Sequence, residues 1–164
     1  MDKRFLIEQL SDKLRESAHV ARKAGQAAAE EARDGATAAE KRENARVAQE
    51  YAGLARGQAA RAGKTMAELS TLEGFRPGPL PKGAPIAIGA IVEVEEEGEG
   101  IGRTFFLAPV GAGVELTGPG GDGFLSVVTP QSPVGKAILD HHVGETIEVT
   151  VQGEPRDWTI TYAS

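Results

Sequence analysis

Glu40 and Glu43 stand three residues apart, a spacing that puts both carboxylates on one face of a helix start, where both could reach one ion. The same residues have a plainer use. Thr37-Ala38-Ala39-Glu40 reads as a capping box, in which Thr37 caps the helix and Glu40 reaches back to it. Glu43 would then be a solvated residue pairing with Lys41 or Arg46. Ser132 is a good N-cap and Pro133 follows at the first helical position, where its missing N–H costs nothing. His141 and His142 are adjacent on a turn and only His19 lies elsewhere, which argues against a zinc site. The run Gly118-Pro119-Gly120-Gly121-Asp122-Gly123 lacks the Lys-Ser/Thr and the helix of a phosphate loop, so it reads as a turn. With no cysteine, a thiol nucleophile, a disulfide framework and a Cys-based zinc site are all excluded.

The elements that hold these residues fall into two groups. All nine prolines lie beyond residue 75, and charge divides at the same place. Residues 1–75 carry 13 Lys/Arg and 12 Asp/Glu, whereas residues 76–164 carry 5 and 12, leaving the second part acidic. Gly74 to Pro85 is Pro/Gly-rich and bars a helix, which predicts a hairpin over 1–75, a stiff linker over 76–85 and a second domain over 86–164. In the first part, Ile7, Leu10, Leu14, Ala18, Ala21, Ala24, Ala28 and Ala32 form a helical stripe. Turn chemistry at Asp34-Gly35 breaks it. It resumes through Val47, Tyr51, Leu54, Ala62, Met66, Leu69 and Leu72. Two helices of roughly 30 residues, each about 45–50 Å long, must lie antiparallel to bury such stripes. An ordinary coiled coil used for dimerisation has the same periodicity.

The second part reads as strands. Ala90–Glu95 alternates apolar and acidic residues, and further strands are expected at 103–108, 114–116, 124–128, 146–151 and 158–162. One short helix, Val134 to Leu139, interrupts them. The fold class is α+β: an antiparallel α-helical hairpin, then a small sheet with one helix. No apolar run approaches the ~20 residues that span a bilayer, and the N-terminus has no apolar h-region. A cytoplasmic location without membrane contact is expected. Aromatics are only 5 % of residues and the basic residues form no stripe, so direct nucleic-acid binding is not expected.

The corner Ser132-Pro133-Val134-Gly135-Lys136-Ala137-Ile138-Leu139, followed by Val143-Gly144-Glu145, closely resembles the C-terminal domain of the bacterial GreA/GreB transcript cleavage factors. That family's pattern is Ser-Pro-(apolar)-Gly-(basic)-Ala-Leu-Leu-Gly, then Val-Gly-Asp. The resemblance covers most of residues 86–162 and implies an FKBP-like sheet domain behind a long helical hairpin. The family's hairpin tip reads Gly-Asp-Leu-x-Glu-Asn-Ala, and Glu43-Asn44-Ala45 matches its end. The motif's Asp falls on Glu40 and its Gly on Ala39. At Asp140-His141-His142, where the family has Gly and basic residues, the basic character is lost.

The resemblance implies a transcription elongation factor that is not itself an enzyme. Its partner would be bacterial RNA polymerase, and it would touch nascent RNA only through that polymerase. The hairpin would enter the secondary channel and bring Glu40 and Glu43 to the active site, with Asn44 at the partner surface. The two carboxylates would help hold a Mg²⁺ shared with the polymerase, the factor having no cofactor of its own. Mg²⁺ is a hard cation that takes oxygen ligands, and a second metal stabilises both attacking and leaving oxygens during cleavage of a backtracked transcript. Ser132, Pro133, Val134 and Gly135 would dock on the coiled coil at the channel rim. A monomer is expected. Two alternatives stand beside this: a non-catalytic Gre-like regulator or inhibitor occupying the channel, and a coiled-coil dimer carrying an FKBP-like binding module.

Overall fold

A computed structural model describes residues 3–33 and 45–164, which form two compact units: Met1–Ser11 with Thr71–Ser164, and Asp12–Ser70. Two long helices, α1 (Arg4–Arg33) and α2 (Ala45–Glu73), form the hairpin. Within the second unit, α1 buries Leu14, Ala18, Ala21, Gly25 and Ala28, at steps of four, three, four and three. On α2, half-buried Ala55 and Gln58 lead into buried Ala62, Thr65 and Leu69, with the same alternation. This is the 3.5-residue repeat of a coiled coil. The seam is narrow. A Cβ placed on Gly25 would stand 3.3 Å from Gln58 Cβ and 3.5 Å from the Ala55 carbonyl oxygen.

The seam departs from the expected stripes. Ala24 is exposed and Gly25 takes its place, while Val47, Leu54 and Met66 are all 45 % or more exposed. A ranking by hydrophobicity selects large side chains. Between Leu14 and Leu69, which are buried, the closely approaching helix pair instead seats Ala, Gly, Thr and Gln and turns Val47, Leu54 and Met66 outward. Thr65 meets its polar requirement locally, its hydroxyl donating to the Arg61 carbonyl at 3.0 Å.

The other unit is a six-stranded sheet with the order β3-β4-β2-β1-β6-β5. Its strands are β1 (Ile91–Glu96), β2 (Gly102–Leu107), β3 (Glu115–Thr117), β4 (Phe124–Val128), β5 (Thr146–Val151) and β6 (Glu154–Ala163). Every pairing is antiparallel except β2 with β4. The short helix α3 (Pro133–Ile138) follows β4. One face of the sheet and Ile138 of α3 enclose a core that includes Val92, Val94, Phe105, Leu107, Ile147, Val149, Trp158 and Ile160. The Phe105 and Trp158 rings stack at 5.7 Å, and the Arg103 guanidinium lies 5.6 Å from the Trp158 ring centroid.

All six expected strands are present, but β6 begins at Glu154 rather than Trp158. Pro155 reads as a strand breaker in the sequence. Here it lies in a stretch paired with β5 alone, since the register with β1 starts at Trp158. A two-residue turn of Gln152 (φ 53°) and Gly153 (φ 83°) starts the strand, the positive-φ pair that suits a tight hairpin. Glu96 also differs from the expected pattern. It is buried, with Oε1 accepting from Arg156 Nη1 at 2.5 Å, and that hydrogen bond is the main cause of Arg156 titrating above its ordinary value.

The start of α1 belongs to this unit. Leu6, Leu10 and Leu72 are buried. A Cβ on Gly111, whose φ is +89°, would stand only 2.8 Å from Leu10 Cδ1. Gln9 brackets Thr117, accepting from its N–H at 2.7 Å and donating to its carbonyl at 3.1 Å. Lys3, also buried, donates to the Gly78 and Ser164 carbonyl oxygens at 3.0 and 2.8 Å. Burial holds its pKa below the usual lysine value.

Candidate functional site

The corner between β4 and α3 is built around one hydroxyl. β4 delivers a β-branched run to Thr129, and Thr129-Pro130-Gln131-Ser132 closes a turn in which the Ser132 N–H donates to the Thr129 carbonyl at 3.0 Å. Ser132 Oγ accepts from the Gly135 and Thr129 N–H groups, both at 3.1 Å, and donates to the Thr129 carbonyl at 2.8 Å. Its hydrogen-bonding capacity is therefore used in full. Ser132 is extended (φ −72°, ψ 152°) as an N-cap should be, and Pro133 opens the helix.

Gly135 is fixed by contact rather than by conformation. A Cβ there would fall 1.8 Å from the Thr129 carbonyl oxygen and 2.9 Å from Ser132 Oγ. The helix thus starts directly on the backbone of the strand end. Pro133 and Lys136 are exposed, Val134 is half-buried and Gly135 is buried, so the corner presents Gln131, Pro133 and Lys136 outward. Sequence reasoning identified the cap and the proline. It gave no reason for the glycine, which only the Thr129 carbonyl supplies.

The segment after α3 is held just as firmly. The Asp140 N–H donates to the Ile86 carbonyl at 2.9 Å and the Ile86 N–H to the His141 carbonyl at 2.8 Å. Glu145 Oε2 accepts from the His142 N–H at 2.7 Å and lies 2.9 Å from His141 Nδ1. The His142 N–H is the chief cause of the Glu145 carboxyl lying below the usual carboxylate range. The histidine pair is therefore a turn tied down by one carboxylate. Among the described residues no group of three or more His, Asp or Glu is placed to hold a metal ion.

Gly118–Gly123 is the connection between β3 and β4. It closes on its own backbone, with the Gly121 N–H on the Gly118 carbonyl at 3.0 Å and the Gly118 N–H on the Gly123 carbonyl at 3.2 Å. A strand follows it, not a helix, in keeping with the turn expected there. Of the residues singled out in the sequence, Ser132, Pro133, Val134 and Gly135 meet at the one corner. Glu40, Glu43 and Asn44 lie outside the described residues.

Residues 81–164, which contain the corner, the sheet and α3, match the family model described as the C-terminal domain of the transcription elongation factors GreA/GreB. The chain belongs to the GreA/GreB family. Among solved structures, the GreA factor homolog 1 of Thermus thermophilus is 22 % identical, covering 96 % of this chain and 92 % of that one, with a TM-score of 0.41. Gfh1 of Thermus aquaticus is 15 % identical over 95 % and 92 %, with a TM-score of 0.39. A GreA/GreB elongation factor of Nitrosomonas europaea is 20 % identical over 63 % and 78 %, with a TM-score of 0.40. No curated protein matches the chain. Among the described residues of this Gre-family chain, no helix is long and apolar enough to cross a membrane.

Proposed function

We propose that this chain binds RNA polymerase, reaches into the secondary channel with its helical hairpin, and stimulates cleavage of backtracked transcripts through Glu40 and Glu43. The observation that carries the reading is the family match over residues 81–164, which includes the Ser132–Gly135 corner. The corner is the docking element in this reading. Its shape is held by the Ser132 hydrogen bonds, and it offers Pro133 and Lys136 to the rim coiled coil. The acidic balance of residues 76–164 favours approach to a basic surface.

The hairpin is a delivery arm, with the polymerase supplying most of the active site and the factor no chemistry without it. Glu40 and Glu43 would share a Mg²⁺ with the polymerase, and their oxygens are the ligand type such an ion takes. When bound there, the ion stabilises the attacking and leaving oxygens. Asn44 is assigned to the surface facing the polymerase.

A second reading rests on the tip sequence itself. Glu40 stands where the family has Asp, Ala39 where it has Gly, and Lys41-Arg42 dilute the negative charge. These departures suit a factor that occupies the channel without cleaving. A cleavage assay on a stalled, backtracked complex separates the two. The wild-type chain is expected to shorten the transcript faster than polymerase alone, and a Glu40→Ala/Glu43→Ala variant to bind equally and shorten nothing extra. Tight binding with no stimulation by the wild type would establish the non-catalytic reading instead.

A further inference from the structure

The hairpin unit carries a groove lined by none of the residues assigned a role above. An open groove of about 510 Å³ lies along one side of the α1–α2 pair, lined by Gly25, Ala29, Ala59 and Met66 together with Arg22 and Arg56. Met66 is 46 % exposed there, a large apolar side chain with no cover. Arg22 and Arg56 come from different helices, and both are exposed. Neither is in an ion pair among the described residues, and no carboxylate lines the groove.

Three classes of occupant can be weighed against that chemistry. A nucleic acid would find two cations but no aromatic ring on which a base could stack, and an apolar floor in place of further phosphate contacts. A second copy placed groove to groove would set Arg22 and Arg56 against their own counterparts, which repel. A protein helix fits both features. Small floor residues let another backbone come close, as they do in the hairpin's own seam, and cationic rims select carboxylates beside the apolar stripe. We propose that this groove docks an amphipathic, acidic helix of a protein partner, with small apolar side chains over Gly25 and Ala59 and flanking carboxylates on Arg22 and Arg56. The inference is independent of what Glu40, Glu43 and the Ser132 corner do.

The test is a displayed library of 20-residue amphipathic helices, selected on the immobilised full-length chain. The stripe is fixed as small apolar residues and the flanking positions are randomised among Glu, Gln and Lys. Glu is expected to exceed Lys at the flanks by at least tenfold after selection. An Arg22→Glu/Arg56→Glu variant is expected to reverse that preference, which only a folded groove can do. Ala59→Glu should abolish retention of the selected helices. The proposal fails if no Glu preference emerges, or if the preference survives charge reversal. It also fails if a 12-nucleotide RNA displaces the selected helices at lower concentration than the helices displace one another.

Discussion

Replacing Gly135 by alanine is a one-methyl change whose cost follows from the corner's geometry. The added Cβ would stand 1.8 Å from the Thr129 carbonyl oxygen and 2.6 Å from its carbon, so no side-chain adjustment can relieve the clash. Either the start of α3 must lift away or the Thr129 peptide must turn. Both movements break the three hydrogen bonds of Ser132 Oγ. At about 1 kcal/mol for each bond, the loss is about 3 kcal/mol before any disturbance of Ile138, a fully buried member of the sheet core. Ser132→Ala removes the same bonds without a clash. It leaves the Thr129 N–H without that acceptor and the helix uncapped, a cost of about 3 kcal/mol at the same rate. Because both changes open one corner, the double variant should fall short of the sum by about 1 kcal/mol or more. Urea unfolding followed by tryptophan fluorescence measures this directly. Trp158 is the single tryptophan, 1 % exposed, and lies in the same core. A Gly135→Ala unfolding free energy within about 1 kcal/mol of wild type, at an unchanged urea slope, would refute the reasoning. It would mean that the Thr129 peptide swings aside at little cost.

Two further outcomes are expected. Glu145→Gln should lower stability at neutral pH, since the carboxylate that ties down the His141-His142 turn is lost. The Glu145 carboxyl titrates below its ordinary value, so its contribution is complete above about pH 4.3 and disappears as pH falls through the lower folded-state value. The gap between wild type and Glu145→Gln in urea midpoints should therefore close in acid, and a gap that widens there would overturn the assignment. Gln152→Asn should raise the unfolding free energy by about 0.5 kcal/mol, because asparagine tolerates the positive φ of the β5–β6 turn better than glutamine. A lowered midpoint would mean that the glutamine side chain contributes something the turn geometry does not explain.

The sheet was legible because its information is local. Alternation in Val92-Glu93-Val94-Glu95, glycine at the turns and Ser132-Pro133 at the helix start each act within a few residues. What escaped the sequence was long-range. Glu96 is turned inward by Arg156, sixty residues away, and Lys3 by carbonyls at Gly78 and Ser164. Gly135 looks interchangeable with alanine until the Thr129 carbonyl is placed against it. The hairpin was legible as two helices, yet its seam was misread by one position at Ala24. Periodicity fixes an interface only where large residues mark it, and this one is marked by small ones. Of the candidate site residues, the Ser132 corner could be placed by its capping chemistry, whereas the roles of Glu40 and Glu43 rest on resemblance.

The strand order has a consequence for how the chain is made. β6 is not an edge: it lies between β1 and β5, and Ile160 and Trp158 fill the core on which both neighbours depend. The β1–β6 register joins Val92 to Ala163, so the sheet cannot close until Ala163 has left the ribosome. Until then β1 lacks one neighbour, and Lys3 lacks the Ser164 carbonyl to which it donates. The helices can form early from local contacts, but the sheet unit waits for β6. A nascent chain whose β6 is still inside the exit tunnel would therefore present an open apolar sheet face and a β1 paired with β2 alone, the species in which a chaperone would have most to cover.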